Sequence, residues 1–450
     1  MNGHFGRISA GFVLLVVSLT GGATDLMAQD RLSQLEDRIR QLEAELMSLK
    51  SEVQSLRNQK SPGQNREKSD HSSTRVALSD RGLEVESPER KLALRFQGYY
   101  QVEARDFFGG NNALGVDTIE PRRIRPIVEM KAGDFSFRIA PELSGDSQDL
   151  RDAYATWKFA DEFELLFGKM KPPIGLERLQ SAPALPLAER GLTTELTPIR
   201  DIGLMLRGET LEGNLEYAIG LFNGAPDGEN ERTELDNGKE VDFRFFFHPW
   251  RPQGSDSQGL GIGLGGNAGN RIGLPRPYYT SVRTPFFSYL PGAVSDGDTW
   301  RLAPQADFYW GPLGLMTEYI VSSRRIRYAA DARDLTNSAW QVRGSYVLTG
   351  EHASYSGVRP RGEFRPSEGE WGALELAGRI SQFKIDRQTF PLFADPTVSA
   401  RKATGLGMAL NWYPARLIRV TIDYETTSFD LLAGKKPREH AFTSRLQFAY

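Results

Sequence analysis

No cysteine occurs among the 450 residues. That excludes disulfides, thiolate metal sites, a cysteine nucleophile and a lipid-modified N-terminal cysteine. Histidine is scarce: His4, His71, His248, His352 and His440 lie far apart with no metal-ligand spacing. Neither a metal nor a cofactor is expected. Net charge is only −3, so the basic excess of a nucleic-acid reader is missing and no nucleic-acid partner is expected. Long apolar runs are also missing. The one of note, 8–19, has twelve residues, whereas a membrane-spanning helix needs about 20. It follows His4 and Arg7 and precedes small residues with a cut site after Ala28, the pattern of a secretory signal over 1–28. An exported chain without a spanning helix is either soluble or a barrel.

What the chain does have is alternation. In its last eleven residues Phe442, Leu446 and Phe448 share one parity, and Thr443, Arg445 and Gln447 share the other. This is a strand with one greasy and one wet face. The same period of two runs from Leu92 onward and gives sixteen strands. An even number is the rule for single-chain outer-membrane barrels, and an apolar outer face is what lipid demands. The 45 glycines and 25 prolines suit regularly spaced turns, and the 10% aromatics suit interface girdles. Trp157, Phe159, Trp300, Trp310, Trp412 and Tyr450 fall near strand ends, where girdle residues belong.

The gaps between strands alternate long and short, which puts tight turns on one side and long loops on the other. Long gaps include 106–120, 171–198, 268–298 and 323–338; short ones include 132–133, 161 and 311–312. Two depart from the scheme: 250–258 is long for a turn, and 349–370 is longer still. With a signal peptide placing the N-terminus in the periplasm, the short turns lie there too.

Ahead of the barrel, Leu32, Ile39, Leu46 and Val53 occupy heptad position a, and Leu35, Leu42, Leu49 and Leu56 position d. Residues 29–59 therefore read as a coiled-coil helix in the periplasm. Its flanking pairs Arg38 with Glu43, Glu45 with Lys50 and Glu52 with Arg57 favour parallel self-association. Two or three chains both fit. An amphipathic helix packed on its own chain is the competing reading. Residues 60–91 form a polar linker with a weak hairpin near 76–85. The fold class is thus all-β, a 16-stranded antiparallel transmembrane barrel over 92–450 preceded by a short coiled-coil helix.

Several motifs resemble a known family. Gly168-Lys-Met-Lys-Pro-Pro-Ile-Gly-Leu-Glu177, Glu189-Arg190, Arg200-Asp-Ile-Gly203, Gly220-Leu-Phe-Asn-Gly224 and Arg122-Arg-Ile-Arg-Pro126 follow one another as in the phosphate-selective porins of the O/P type. The order of heptads, linker and barrel is similar as well. The resemblance implies a trimeric outer-membrane channel whose third external loop folds into the pore, here 171–198. It also implies passive diffusion of small anions such as phosphate or polyphosphate, and no enzyme activity.

A sixteen-stranded barrel is wide enough for an aqueous channel. An Arg on its lipid face would cost about 2–4 kcal/mol at the midplane, so charged positions must turn inward. Guanidinium groups grip phosphate oxygens in a fork, and a row of them can pass anions between shallow sites. The candidate pathway comprises Arg95, Arg123, Arg125, Arg207 and Arg244 on the strands, Lys169 and Lys171 leading into the third loop, and Arg178 and Arg190 within it. The competing reading is that carboxylates on neighbouring strands neutralise most of these. Glu177, Glu189 and Glu195 share the loop.

Two other motifs carry less. Gly261-Ile-Gly-Leu-Gly-Gly266 matches a dinucleotide fingerprint, but a barrel strand with Gly at alternate positions explains it better. His248 faces inward without a serine to activate. A role as an envelope protein, with the coiled coil tethering the barrel to peptidoglycan, is the alternative to a channel.

Overall fold

A computed structural model describes Gln41, Ala44, Glu45, Met47, Ser48 and, from residue 74 on, all but 80–81, 90, 109–113, 146–148, 161, 231–235 and 251–257. The signal segment 1–28 and the eight heptad residues from Leu32 to Leu56 lie outside the described residues. The five described positions within 29–59 are helical and exposed. Residues 1–70 and 71–450 are separate units, and the second is described below.

After a hairpin of β1 (Arg75–Ser79) and β2 (Gly82–Glu86), sixteen antiparallel strands close into a barrel: β3 (Leu92–Phe107), β4 (Thr118–Ala132), β5 (Phe135–Glu142), β6 (Asp149–Ala160), β7 (Phe163–Met170), β8 (Asp201–Thr210), β9 (Leu215–Phe222), β10 (Glu240–Trp250), β11 (Gly259–Gly273), then, past the short β12 (Tyr278–Tyr279) and β13 (Pro285–Phe287) that pair only with each other, β14 (Val294–Trp310), β15 (Leu313–Tyr328), β16 (Asp331–Val347), β17 (Ala373–Lys384), β18 (Lys402–Ala415), β19 (Ile418–Asp430) and β20 (Glu439–Ala449). The last strand closes on the first, from Ala441 opposite Phe107 to Ala449 opposite Tyr99. Closure matters because each unpaired backbone group in hydrocarbon costs several kcal/mol. The side chains are arranged inside out for a soluble protein. Along β19, Arg419, Thr421, Asp423 and Glu425 are buried, whereas Ile422 and Tyr424 are exposed. Such a surface suits lipid.

Beyond Gly98, β3 outruns the end of β20. The β1–β2 hairpin takes over as its partner, with Leu83 opposite Phe96 and Glu86 opposite Ala93. The hairpin lies within the 60–91 linker and covers an edge that would otherwise stand open.

Connections on one rim are mostly short: 133–134, 161–162, 211–214, 311–312 and 416–417. The long 348–372 is on that rim too. The other rim carries 171–200, 223–239, 274–293 and 385–401.

One expected loop is not a loop. The gap 323–338 is paired strand, with Tyr328 opposite Asp331 across a two-residue turn and Ser322 opposite Asn337. Trp300 and Trp310, on the same outward face of β14, are ten residues apart. That is the span of a tilted strand through the bilayer. The stretch beyond Trp300 therefore projects into water. There both faces carry charge, as Arg324, Arg325, Arg327, Arg333 and Asp334 do. With no lipid on either side, alternation vanishes although the ladder continues.

The turn-rim girdle is a chain of outward rings. Phe135 stacks on Trp157 at 5.9 Å, Trp157 meets Phe159 at 5.2 Å, and Phe159 stacks on Phe163 at 5.8 Å. Trp250 and Trp310 stack at 5.0 Å.

Candidate functional site

The connection 171–200, third on its rim, folds into the barrel interior. Its one-turn helix α1 (Leu176–Leu179) and two 3-10 turns, Ala182–Ala184 and Leu192–Leu196, are buried. Glu318 of β15 accepts the Leu176 amide at 2.7 Å and the Thr193 hydroxyl at 2.6 Å. Arg343 of β16 donates to Glu177 at 2.9 Å, and Asp423 of β19 accepts the Ala188 amide at 2.7 Å. The loop is thus pinned to the wall formed by β15–β20. Burial alone would raise the Glu177 carboxyl, but Arg379 and Arg343 hold it below the ordinary carboxylate range.

Two further segments sandwich the loop. From the loop rim, 274–293 folds inward, and Tyr278, Phe286 and Phe287 pack with Ile174, Leu192 and Leu196. From the turn rim, Tyr355 of 348–372 donates its hydroxyl to the Leu176 carbonyl at 2.6 Å, and its own carbonyl accepts from Gln180 at 2.7 Å. Gly265 of β11 makes room for the loop's entry: a Cβ there would come within 3.0 Å of the Pro173 carbonyl. The Gly261–Gly266 run is part of β11, and Gly261 and Gly263 seat the Phe246 ring, over which Arg244 lies at 4.5 Å. His248 pairs with Glu216 at 3.1 Å and meets Phe246 edge-on.

Opposite the pinned side, between the loop and β3–β10, lies a cavity of about 1360 Å³. Among the described residues, fourteen lysines and arginines line it against nine carboxylates. Of the nine predicted cations, Arg123, Arg125, Lys171, Arg178, Arg190, Arg207 and Arg244 line this cavity. Arg95 lies outside it, paired with Glu84 at 3.1 Å and Glu129 at 3.7 Å. Lys169 is also outside, 3.7 Å from Asp149.

The seven fall into two classes. Arg123, Arg125, Arg207 and Arg244 each pair with a carboxylate: Glu189 at 2.8 Å, Glu142 at 2.6 Å, Glu164 at 2.9 Å and Glu216 at 3.1 Å. Lys171, Arg178 and Arg190 have no carboxylate in ion-pairing reach among the described residues. Lys171 donates to the Leu179 carbonyl at 2.7 Å, and Arg190 to the Gln180 carbonyl at 2.7 Å. Arg178 donates to the Thr197 hydroxyl at 3.0 Å. Burial and the nearby Arg200 and Arg190 push the Lys171 ammonium well below the ordinary lysine range. This is the signature of like charges crowded in a poorly solvated place, where an anion would be welcome.

At the seam of the two sides, the Glu189 carboxylate gathers Arg122 at 2.8 Å, Arg123 at 2.8 Å and Arg445 at 2.6 Å. Burial would raise its pKa, but these three cations hold it well below the usual range.

Some lining residues escaped sequence reasoning. Arg122 should face lipid if alternation held, yet it lines the cavity beside Arg123. A β-bulge explains this: Gln101 pairs with Arg123 and Val102 with Pro121, leaving Arg122 as the extra residue. A second bulge, between Ala140–Asp152 and Pro141–Leu150, does the same for Arg151. Each bulge has a proline at its edge, which cannot donate to the ladder. That was the available signal. Arg276, Tyr279 and Arg283 line the cavity through the infolding of 274–293, for which the sequence offers no local mark.

Known proteins agree with this architecture. A family model described as phosphate-selective porin O and P matches residues 91–271 and 288–450. Porin O of Pseudomonas aeruginosa is 22% identical over 407 residues, covering 82% of this chain and 91% of its own. The outer membrane channel DcaP of Acinetobacter baumannii superposes with a TM-score of 0.52 at 12% identity, over 81% of this chain and 99% of its own. An anion-selective porin from Comamonas acidovorans gives 0.51 at 10% identity, over 80% and 100%. The trimer form of OmpT from Vibrio cholerae gives 0.51 at 11% identity, over 80% and 99%. The matched stretches reach from the first barrel strand to the last, and the chain belongs to the phosphate-selective porin O and P family as an outer-membrane β-barrel porin.

Proposed function

We propose that this porin lets small hydrophilic anions, phosphate and polyphosphate among them, diffuse passively across the outer membrane through the cavity between the third loop and β3–β10. The observation that carries the reading is the trio Lys171, Arg178 and Arg190. Their charge is not cancelled by any carboxylate in ion-pairing reach among the described residues, and all three line the path. Backbone carbonyls hold them in place without neutralising them, so a passing anion meets oriented donors. The Comamonas relative bears the description anion-selective, which agrees. Planar-bilayer reversal potentials in a KCl gradient test the reading: an anion-preferring sign is expected, and a cation-preferring sign overturns it.

The same reading makes the working unit a homotrimer in outer-membrane lipid. Its 29–59 coiled coil sits in the periplasm after removal of 1–28, and 60–91 joins it to the barrel. Support comes from the heptads and from the trimer form of the Vibrio relative. Deleting 32–59 should lower the yield of chemically cross-linked trimer while leaving single-channel conductance intact.

A further inference from the structure

The outward face of β17 and β18 ends in two lysines set side by side. From the turn rim toward the loop rim, Leu374 stands opposite Trp412, Leu376 opposite Leu410, Ile380 opposite Leu406, Gln382 opposite Thr404 and Lys384 opposite Lys402. Leu376, Leu410, Ile380 and Leu406 are exposed on the outer wall, where lipid meets them. Lys402 is ten residues from Trp412, the interval that separates Trp300 from Trp310. The lysine pair therefore sits where hydrocarbon gives way to headgroups. With the turn rim in the periplasm, as proposed above, those are the headgroups of the outer leaflet.

Like charges directly opposite on neighbouring strands destabilise a sheet, and the protein does little to relieve these two. Asp430, opposite Lys402, lies 3.6 Å from that lysine but also 3.1 Å from Arg401. On its other side Lys384 meets Ser338, and it has no carboxylate in ion-pairing reach among the described residues. Asp386 is near in the chain, yet its oxygens accept the Thr336 and Gln388 amides at 2.8 Å and 2.9 Å. Arg387 beside it is exposed. The projecting ladder of β14–β16 differs, because its charges answer one another: Arg327 pairs with Asp296 at 2.6 Å and Arg325 with Asp334 at 3.9 Å.

We propose that Lys384 and Lys402, with Arg401 beside them, form a docking site for the phosphorylated headgroup of an outer-leaflet glycolipid. A phosphate shared by the two ammonium groups offsets their repulsion, and the acyl chains of the same molecule cover Ile380 and Leu406 below. One molecule thus satisfies both the charge and the apolar band. The test titrates purified full-length porin in mixed micelles with diphosphoryl lipid A and reads the bound fraction by native mass spectrometry. Lys384→Gln with Lys402→Gln should weaken lipid A binding about tenfold or more, and Lys384→Arg with Lys402→Arg should preserve it. Arg325→Gln with Arg327→Gln should leave it unchanged. The reversal potential should be the same in the Gln pair as in the parent, since neither lysine lines the cavity. Lipid A bound as tightly by the Lys384 and Lys402 Gln pair as by the parent overturns the proposal. So does an equal loss in the Arg325 and Arg327 pair, which would make the attraction one of overall charge. Phosphatidylglycerol bound by the parent as tightly as lipid A overturns the assignment to a glycolipid.

Discussion

The two sides of this lumen use the same residue types for opposite ends. On the side of β15–β20, arginines are consumed: Arg343 by Glu177, Arg379 by Glu425 and Glu177, Arg445 by Glu103 and Glu189. Their charges are buried, paired and spent on fixing a loop. On the side of β3–β10, arginines stand around a cavity and part of their charge stays available. Nothing in the sequence of a given strand tells the two apart, because an inward Arg on β16 and an inward Arg on β8 look alike. What differs is whether the third loop packs against the strand or leaves a cavity in front of it, a matter of tertiary topology.

Breaking the packed side should produce the largest effect. Replacing Glu177 by Leu leaves Arg343 and Arg379 without a carboxylate they now share, and also removes the acceptor of the Gly191 amide at 2.8 Å. Stranding a buried charge costs about 3–5 kcal/mol. The heat-denaturation midpoint of the detergent-solubilised barrel should fall markedly, and channel current should become larger and noisier as the loop detaches. The native pair also predicts acid sensitivity. The folded-state pKa of Glu177 lies below its unfolded value, so its contribution is present above about pH 4.3 and is lost as pH falls through the lowered value. Melting in Glu177→Leu should be less sensitive to acid than in the parent.

On the open side the expected change is in selectivity rather than stability. Arg178→Gln with Arg190→Gln keeps hydrogen-bond donors but removes two charges. A unit charge a few ångströms from a permeating ion is worth about 1 kcal/mol even at water-like screening, so the anion-to-cation permeability ratio should drop about tenfold or more. Reversal potentials in a salt gradient measure it, and an unchanged ratio would clear these residues of any part in selection.

This contrast also marks where sequence reading succeeds. Strand number and order were legible, and with them the inward parity of Arg123, Arg125, Arg207 and Arg244, because lipid on one face and water on the other impose a period of two wherever both are present; the entry of 171–198 into the lumen was implied by the family resemblance and not by any period. Where that asymmetry ends, legibility ends. Arg324–Arg333 pairs as strand above the membrane with charge on both faces and reads as loop. Arg122 and Arg151 turn inward at bulges that shift the period by one residue. The infolding of 274–293 and of 348–372 depends on contacts with a loop far away in sequence, as Tyr355 with Leu176 illustrates.

Glu189 lies where the two sides meet, so it sharpens the comparison. Its carboxylate holds Arg122 and Arg123 of the open wall and Arg445 of the packed one. Glu189→Gln should release positive charge toward the cavity and raise anion preference roughly two- to fivefold. It should also lower the melting midpoint by less than Glu177→Leu does, since part of its cluster can reach water. A gain of stability with unchanged selectivity would refute the view of Glu189 as a seam.

Lys171 offers a graded version of the same test. Its ammonium is held well below the ordinary lysine value of about 10.4 by burial and by Arg200 and Arg190. As the pH rises, Lys171 should therefore lose its charge earlier than an exposed lysine would lose its own. Anion preference should fall at a lower pH in the parent channel than exposed lysines alone would give, and that early fall should be absent in Lys171→Gln.

The smallest effect is expected at Arg95. It is inward by parity and among the sequence candidates, but it stands near the end of β3 that pairs with the hairpin. There it is paired with Glu84 of that hairpin and with Glu129, and all three are about a third exposed. Exposed pairs of this kind contribute about 0–1 kcal/mol, and bulk screening damps their field within about 10 Å. Arg95→Gln should change the permeability ratio by less than twofold, with no resolved shift in melting. A change as large as that of the Arg178 and Arg190 replacements would mean that selection occurs at the rim and not beside the loop, and the division of the lumen into a packed and a working side would lose its functional meaning.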